Sequence, residues 1–145
     1  MPLFHTVAPP LRWAYSVPAR AGAAARPFTT EAAGLSLERR LHDLTGARSE
    51  WFKFCDASGI HHCQIDGLFP FQEKIILFEC KLRWHSYVKE QIFKLLKPVV
   101  EAAYLSKLVC PVVVLQNSSV LPRALNEILE AARPDKIVRW SLGQP

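Results

Sequence analysis

The sequence lacks several features that would assign it quickly to a functional class. Its most apolar run, Leu108–Leu115, is eight residues long, well short of the roughly 20 residues that a membrane-spanning helix needs. It has no CxxC or HxxxH pair of the kind that binds zinc, no glycine-rich phosphate loop and no defensible Ser/His/Asp arrangement. We therefore predict a protein without a membrane span that is not a zinc protein, a P-loop NTPase or a serine hydrolase.

Acidic residues are absent from the first 30 positions, which contain Arg12, Arg20 and Arg26. This segment alone contributes +3 to a formal net charge of +5, so the remainder is nearly balanced at +2. A basic segment attached to a mildly basic domain is compatible with a polyanionic partner such as DNA. The same acid-free, alanine-rich character also resembles a mitochondrial transit peptide, which stays open as an alternative.

Cysteine is scarce, and its spacing does not indicate a disulfide framework. The four cysteines are far apart and lie mostly inside apolar runs, as buried thiols do; they are Cys55, Cys63, Cys80 and Cys110. This usage favours a reducing compartment. We predict a cytoplasmic protein, bacterial or phage-encoded, with mitochondrial location as the alternative.

The chain is long enough for one domain, since it has 145 residues of which half are apolar. Residues 1–33 contain five of the eleven prolines and an Ala/Gly-rich patch, so we expect an arm without regular structure. Its aromatic residues are candidates for docking on a partner, in a homodimer or a larger protein assembly. The domain itself is predicted to span 34–145.

Hydrophobic periodicity predicts an α/β fold with the order α-β-β-β-α-β-α-β. The elements, in chain order, are a helix at 36–45, strands at 51–54, 61–69 and 74–82, a helix at 86–108, a strand at 109–116, a helix at 121–132 and a strand at 137–142. A turn composition at 56–59 indicates that the first two strands form an antiparallel hairpin. The almost uninterrupted apolar run at 74–82 indicates a central strand, and Pro98 is expected to kink or divide the long helix.

Two acidic residues and a lysine stand out on the predicted strands. Asp66 lies near the end of the second strand, while Glu79 and Lys81 are separated by one residue on the third. Since side chains alternate along a strand, Glu79 and Lys81 share one face and Cys80 points into the opposite, apolar layer. If the two strands pair in an antiparallel hairpin, Asp66 comes near Glu79.

This combination of side chains suits the hydrolysis of a phosphodiester bond. Two carboxylates that face one pocket repel each other, and Mg²⁺ or Mn²⁺ is the usual partner that holds both ionised. A neighbouring lysine can stabilise developing negative charge or orient the attacking water. Each residue also has a purely structural alternative: Asp66 could end a strand in a turn, and Glu79 with Lys81 could form a surface ion pair.

Asp66, twelve intervening residues and then Glu79-Cys80-Lys81 resemble the D-x(n)-E-x-K signature of the PD-(D/E)XK nuclease superfamily. The order of predicted elements resembles this superfamily as well, over roughly 34–120. The sequence departs from the pattern at Gln64-Ile65, where the name-giving proline would stand. The branch, whether restriction-endonuclease-like or Holliday-junction-resolvase-like, stays undetermined.

The resemblance implies a restriction-endonuclease-like three-layer core with a central mixed sheet flanked by helices. It implies metal ligation by Asp66, Glu79 and the backbone carbonyl of Cys80, with Lys81 as the catalytic lysine. It also places Glu38 of the first helix beside the metal, although Glu38 next to two arginines could be a plain surface residue. Gln91 is a further catalytic candidate; Leu95 stands where some branches pair such a glutamine with tyrosine.

A basic stretch with interleaved aromatic residues follows the motif. Its nucleic-acid-binding candidates are Arg83, Trp84, His85, Lys89 and Lys94. Such residues can track a phosphate backbone and stack on bases, although a solvated helix face would use similar lysines. The sequence therefore predicts a Mg²⁺-dependent nuclease, with DNA as its substrate. The alternative is a catalytically silent protein of the same fold that binds DNA or takes part in a nucleoprotein or virion assembly.

Overall fold

A computed structural model describes residues 11–18, 30–45, 50–56, 61–116 and 119–142 of the chain. Within these ranges there are seven strands, four α-helices and one π-helical segment. Their order is β1 (Leu11–Pro18), α1 (Thr30–Thr45), β2 (Glu50–Asp56), β3 (His61–Ile65), β4 (Gly67–Phe71), β5 (Lys74–Lys81), α2 (Tyr87–Glu90), the π-helical segment (Gln91–Leu96), α3 (Lys97–Ala103), β6 (Leu108–Leu115), α4 (Leu125–Ala131) and β7 (Val138–Ser141). The α/β class predicted from the sequence is confirmed.

A four-stranded mixed sheet with the order β4-β5-β6-β7 forms the centre. β4 pairs with β5 in an antiparallel hairpin, whereas β6 is parallel to both β5 and β7. The predicted central position of the motif strand is confirmed, because β5 has a partner on each side. A second, antiparallel sheet has the order β1-β2-β3.

Helices cover both faces of the four-stranded sheet, and the alternation of side chains along β5 shows how. Ile75 and Leu77 pack in one core cluster with Val88 and Ile92, from α2 and the π-helical segment. The alternate residues of β5, Ile76 and Phe78, point to the other face and pack in a second cluster that contains residues of α1 and α4. A strand covered on both faces needs apolar side chains on both, which explains the continuous apolar run.

Proline explains the irregular helix that connects β5 to β6. Pro98 lies in the first turn of α3, directly after the π-helical segment Gln91–Leu96. A proline cannot donate a backbone hydrogen bond, and its ring crowds the carbonyl one turn earlier, so the preceding turn must widen or bend. The helix is not divided, because its backbone stays helical from α2 through the π-helical segment into α3. Its predicted end at residue 108 is wrong, since α3 stops at Ala103 and Leu108 begins β6.

Three boundaries differ further from the sequence prediction. Part of the proline-rich arm is regular, because Leu11–Pro18 forms β1 and pairs antiparallel with β2. The first helix begins at Thr30 instead of residue 36. The single strand expected at 61–69 is two strands, which belong to different sheets and meet at Asp66.

Some predictions fall outside the described part of the chain, namely most of the turn expected at 56–59 and the arm residues 1–10 and 19–29. In the part that is described, no helix combines the length and apolar character needed to cross a membrane.

Candidate functional site

Asp66 occupies the point where the chain leaves one sheet and enters the other. β4 pairs with β5 from Gly67 opposite Phe78 onward, so Asp66 lies at the end of this ladder, next to Glu79. The side chain of Asp66 is bonded to β5, because the Cys80 amide donates a hydrogen bond of 2.8 Å to Asp66 Oδ2. The predicted proximity of Asp66 and Glu79 is confirmed by this strand pairing, and the charge of Glu79 contributes to the raised pKa of Asp66.

The carboxyl groups of Asp66, Glu79 and Glu38 converge at this position. Glu79 is almost fully buried, with 6% of its surface exposed, and Glu38 of α1 makes a side-chain hydrogen bond with Asp66. The positive charge of Lys81 acts on Glu79, as expected for two residues on the same face of a strand. The site therefore joins three acids and a lysine from α1, the β3–β4 junction and β5.

Burial dominates the electrostatics of the acidic group. It raises the pKa of Asp66 well above the ordinary range of an aspartate, and the charge of Glu79 and the hydrogen bond with that residue raise it further. Hydrogen bonds with Glu38 and the Cys80 amide oppose this rise. Burial also raises the pKa of Glu79, against the effects of Asp66 and Lys81. Desolvation and nearby like charge both disfavour the ionised form of a carboxyl group, so both oppose the ionisation of Asp66.

The donor set suits an oxygen-preferring divalent cation, yet the side chains are closed on one another. Carboxylates are the ligands that Mg²⁺ and Mn²⁺ prefer. Within the described ranges, however, no group of three or more His, Cys, Asp or Glu side chains is spaced to hold a metal ion. Ligation by the Cys80 carbonyl stays a prediction.

His42 belongs to this site, and the sequence analysis missed it. The side chain is 1% exposed, and Nε2 lies 2.9 Å from the backbone oxygen of Asp66. A carbonyl only accepts, so Nε2 carries a proton and donates it. His42 follows Glu38 by four residues on α1, so both lie on one helix face. That spacing is the signal that could have revealed it.

Two glutamines that lie outside the acidic group have buried amide oxygens. Gln91 Oε1 and Gln116 Oε1 have no hydrogen-bond partner among the described residues. Gln91 opens the π-helical segment, an irregularity that recurs at functional sites. Gln116 directly follows β6, and its neighbour Leu115 pairs with Lys81, so the carboxyl ends of β5 and β6 meet here. Gln116 could have been predicted as a site residue from the sequence, because it is a polar residue directly after a buried parallel strand, and ligands bind at the carboxyl ends of such strands.

The basic candidates divide into two groups. Arg83, His85 and Lys89 are exposed beyond the end of β5. Trp84 is partly buried against the core, and the guanidinium of Arg139 lies 3.7 Å from its ring centroid. Lys94 is paired with Glu90 at 3.3 Å on the helix surface, as the solvated-face alternative expects.

Comparison of the chain with protein-family models, with curated proteins and with solved structures gives no match in any of the three. The case for a function therefore depends on the chain's own residues and on how the fold arranges them.

Proposed function

We propose that this protein is a metal-dependent nuclease that hydrolyses phosphodiester bonds of DNA with Mg²⁺ or Mn²⁺. The observation that carries the proposal is the convergence of Asp66, Glu79 and Glu38 beside Lys81, at a break between two sheets. Buried like charges are costly and are kept where chemistry needs them. The exposed basic residues after β5 favour a polyanionic substrate.

We further propose that the core is of the restriction-endonuclease-like type. Supporting features are a helix that precedes the hairpin strands, a central strand with one antiparallel and one parallel neighbour, and a helical crossover from β5 to β6. Helices on both faces of the sheet support a three-layer core as well. The additional strand β1 lies outside that pattern, since it pairs only with β2.

The chain's residues divide the chemical work as follows. Asp66 and Glu79 would hold the cation through their carboxylates, with Glu38 as the third carboxylate. The Cys80 amide fixes the Asp66 carboxyl group, and His42 fixes the Asp66 backbone. The cation, when bound, polarises a phosphoryl oxygen. Lys81 orients the attacking water and stabilises negative charge that develops on the phosphate.

A cleavage panel tests the proposal directly. Duplex, branched and single-stranded DNA and RNA are incubated with the protein in Mg²⁺ or Mn²⁺, beside the variants Asp66→Asn and Glu79→Gln. We expect DNA cleavage that depends on the metal and falls about 10³-fold in either variant, because each removes a charge that the transition state needs. Glu73→Gln is the matched control, since Glu73 is a largely exposed carboxylate at the other end of β5.

Thermal melting supplies a readout that does not depend on cleavage. A cation at a hundredfold excess over its dissociation constant stabilises a folded protein by about 2.7 kcal/mol. In a chain of this size that corresponds to a rise of about 5–10 °C in melting temperature. We expect this rise in the parent and in Glu73→Gln but not in Glu79→Gln. Equal cleavage by the parent and both site variants would overturn the assignment.

A catalytically silent protein of the same fold is the second candidate. The closed arrangement of the acids, with no metal-holding group in the described ranges, is the observation that favours it. This candidate predicts DNA binding or incorporation into a larger assembly, with no cleavage of any nucleic acid in either metal. The panel separates the two functions, because only the nuclease consumes its DNA.

A further inference from the structure

Two exposed rings stack on each other just beyond the motif strand. The His85 and Tyr87 ring centroids are 5.3 Å apart, and the ring planes are inclined by 19°. Tyr87 remains 58% exposed, and His85 is exposed as well. The pair therefore presents aromatic surface to solvent at the end of β5 where Lys81 lies, although neither ring is needed to fill the core.

The segment that carries the rings is held against the fold by Trp84. This side chain packs on the core cluster of the crossover-helix face, while Arg139 of β7 covers its ring at 3.7 Å. The guanidinium–ring contact ties the segment to β7, which lies two strands from β5 in the same sheet. The stacked rings are thus presented from an anchored base, which lowers the entropic cost of binding a flexible ligand.

The charge around the rings is positive. Arg83 and Lys89 are exposed on either side of the pair in the sequence, and the next residue, Glu90, is paired with Lys94. Arg139 adds a cation from β7, two strands from β5 in the sheet. Aromatic faces combined with cations match the two chemical components of a nucleic acid strand, its bases and its phosphates.

The geometry points to an unpaired strand. In a duplex, base faces are covered by their neighbours in the stack, whereas an unpaired nucleotide can lay its base on an exposed ring. A duplex would engage the cations alone, through its phosphates.

We propose that His85 and Tyr87 form a stacking platform for the bases of single-stranded DNA, which Arg83, Lys89 and Arg139 hold by its phosphates. This inference rests on the proposed function, because it assigns DNA with an unpaired segment as the substrate of the Asp66–Glu79 site. The platform would position the unpaired strand beside the carboxyl end of β5.

Binding measured without cleavage tests the platform. The full chain with Asp66→Asn is titrated, in a chelator, against a fluorescent oligothymidylate of about ten nucleotides, which lies within known site sizes. An abasic oligomer of the same length serves as the second probe. Adding Tyr87→Ala should weaken oligothymidylate binding about tenfold, as the loss of one stacked base does. Affinity for the abasic oligomer should not change, because it offers only phosphates.

Two further variants make the result specific to the ring. Tyr87→Phe retains the aromatic face and should bind oligothymidylate like the parent. Leu105→Ala removes a side chain that is 70% exposed between α3 and the start of β6, and should bind like the parent as well. Tyr87→Ala that binds oligothymidylate as tightly as the parent, or that weakens both probes equally, would overturn the platform.

Failure of the platform and failure of the proposed function have different signatures. Metal-dependent cleavage by the parent, combined with no effect of Tyr87→Ala on oligothymidylate binding, overturns the platform alone. Base-dependent binding through Tyr87 in a protein that cleaves no DNA supports the platform and overturns the nuclease assignment.

Discussion

The two ends of β5 carry similar charges in opposite environments. At the amino end, Glu73 and Lys107 form a pair at 3.6 Å, with the Glu73 side chain 86% exposed. Lys74 donates to the backbone oxygens of Leu129 and Glu130 at the end of α4, where a cation favours the helix dipole. Each charge at this end has a neutralising or polar partner.

The carboxyl end of β5 has the reverse arrangement. Three acids converge there in buried surroundings, and Lys81 is the cation whose charge acts on Glu79. An exposed ion pair contributes under about 1 kcal/mol and tolerates change, whereas buried like charges lower stability unless a ligand compensates them. The amino end thus has the arrangement of an ordinary stabilising surface, whereas the carboxyl end has the one that the proposed metal site requires.

Replacing one lysine at each end of β5 should give the largest difference in cleavage rate between the two ends. Lys81→Met removes the cation beside the acids, so we expect DNA cleavage to fall about 10³-fold, as after loss of one transition-state partner. Lys107→Met removes a partly buried lysine at the amino end, paired with Glu73, and should leave the cleavage rate unchanged. Single-turnover cleavage in Mg²⁺ measures both variants. Similar rates for the two would remove the functional distinction between the ends of β5.

His42 should show how far the carboxyl end also contributes to stability. His42→Ala deletes a buried donor and leaves the Asp66 carbonyl unsatisfied, so we expect the free energy of unfolding to drop by about 2 kcal/mol. His85→Ala, at an exposed histidine, should stay within about 0.5 kcal/mol of the parent. Urea denaturation in a chelator measures both. A drop in His42→Ala no larger than in His85→Ala would mean that the Asp66 backbone is held by other contacts.

The strand that carries the motif was the most predictable part of the fold. Its apolar run required burial on both faces, and the period of two placed Glu79 and Lys81 together, so the central position followed from local pattern alone. The adjacency of Asp66 and Glu79 needed one assumption, an antiparallel hairpin. That hairpin is present, although its first strand is shorter than predicted because the chain changes sheets at Asp66.

Features that depend on distant partners were not predictable in the same way. The hydrogen bond from His42 to Asp66 spans 24 positions, and it exists only because α1 packs near the β3–β4 junction. β1 was missed because a proline-rich composition argues against strands, whereas its pairing with β2 outweighs that local preference. The contact between Arg139 and Trp84 likewise depends on the parallel arrangement of the strands, and the residues around neither position predict it.

The pH dependence of stability should give the smallest but most specific contrast between the ends. Burial raises the pKa values of Asp66 and Glu79, so their contribution to stability is complete below about pH 4, where unfolded carboxyl groups are also protonated. It is lost as the pH rises through the raised values, since the folded protein must then accept buried charge.

Asp66→Asn removes one of these buried carboxyl groups and retains an oxygen that can accept from the Cys80 amide. In a chelator, we therefore expect the melting temperature of Asp66→Asn relative to the parent to increase between pH 5 and pH 8 by about 2–4 °C, the shift that 1 kcal/mol produces in a chain of this size. Glu73→Gln, at the exposed end, is the control for the loss of a carboxylate. If the difference between Asp66→Asn and the parent does not change with pH, burial of the acids at the carboxyl end does not lower stability, and the contrast between the two ends of β5 does not exist in solution.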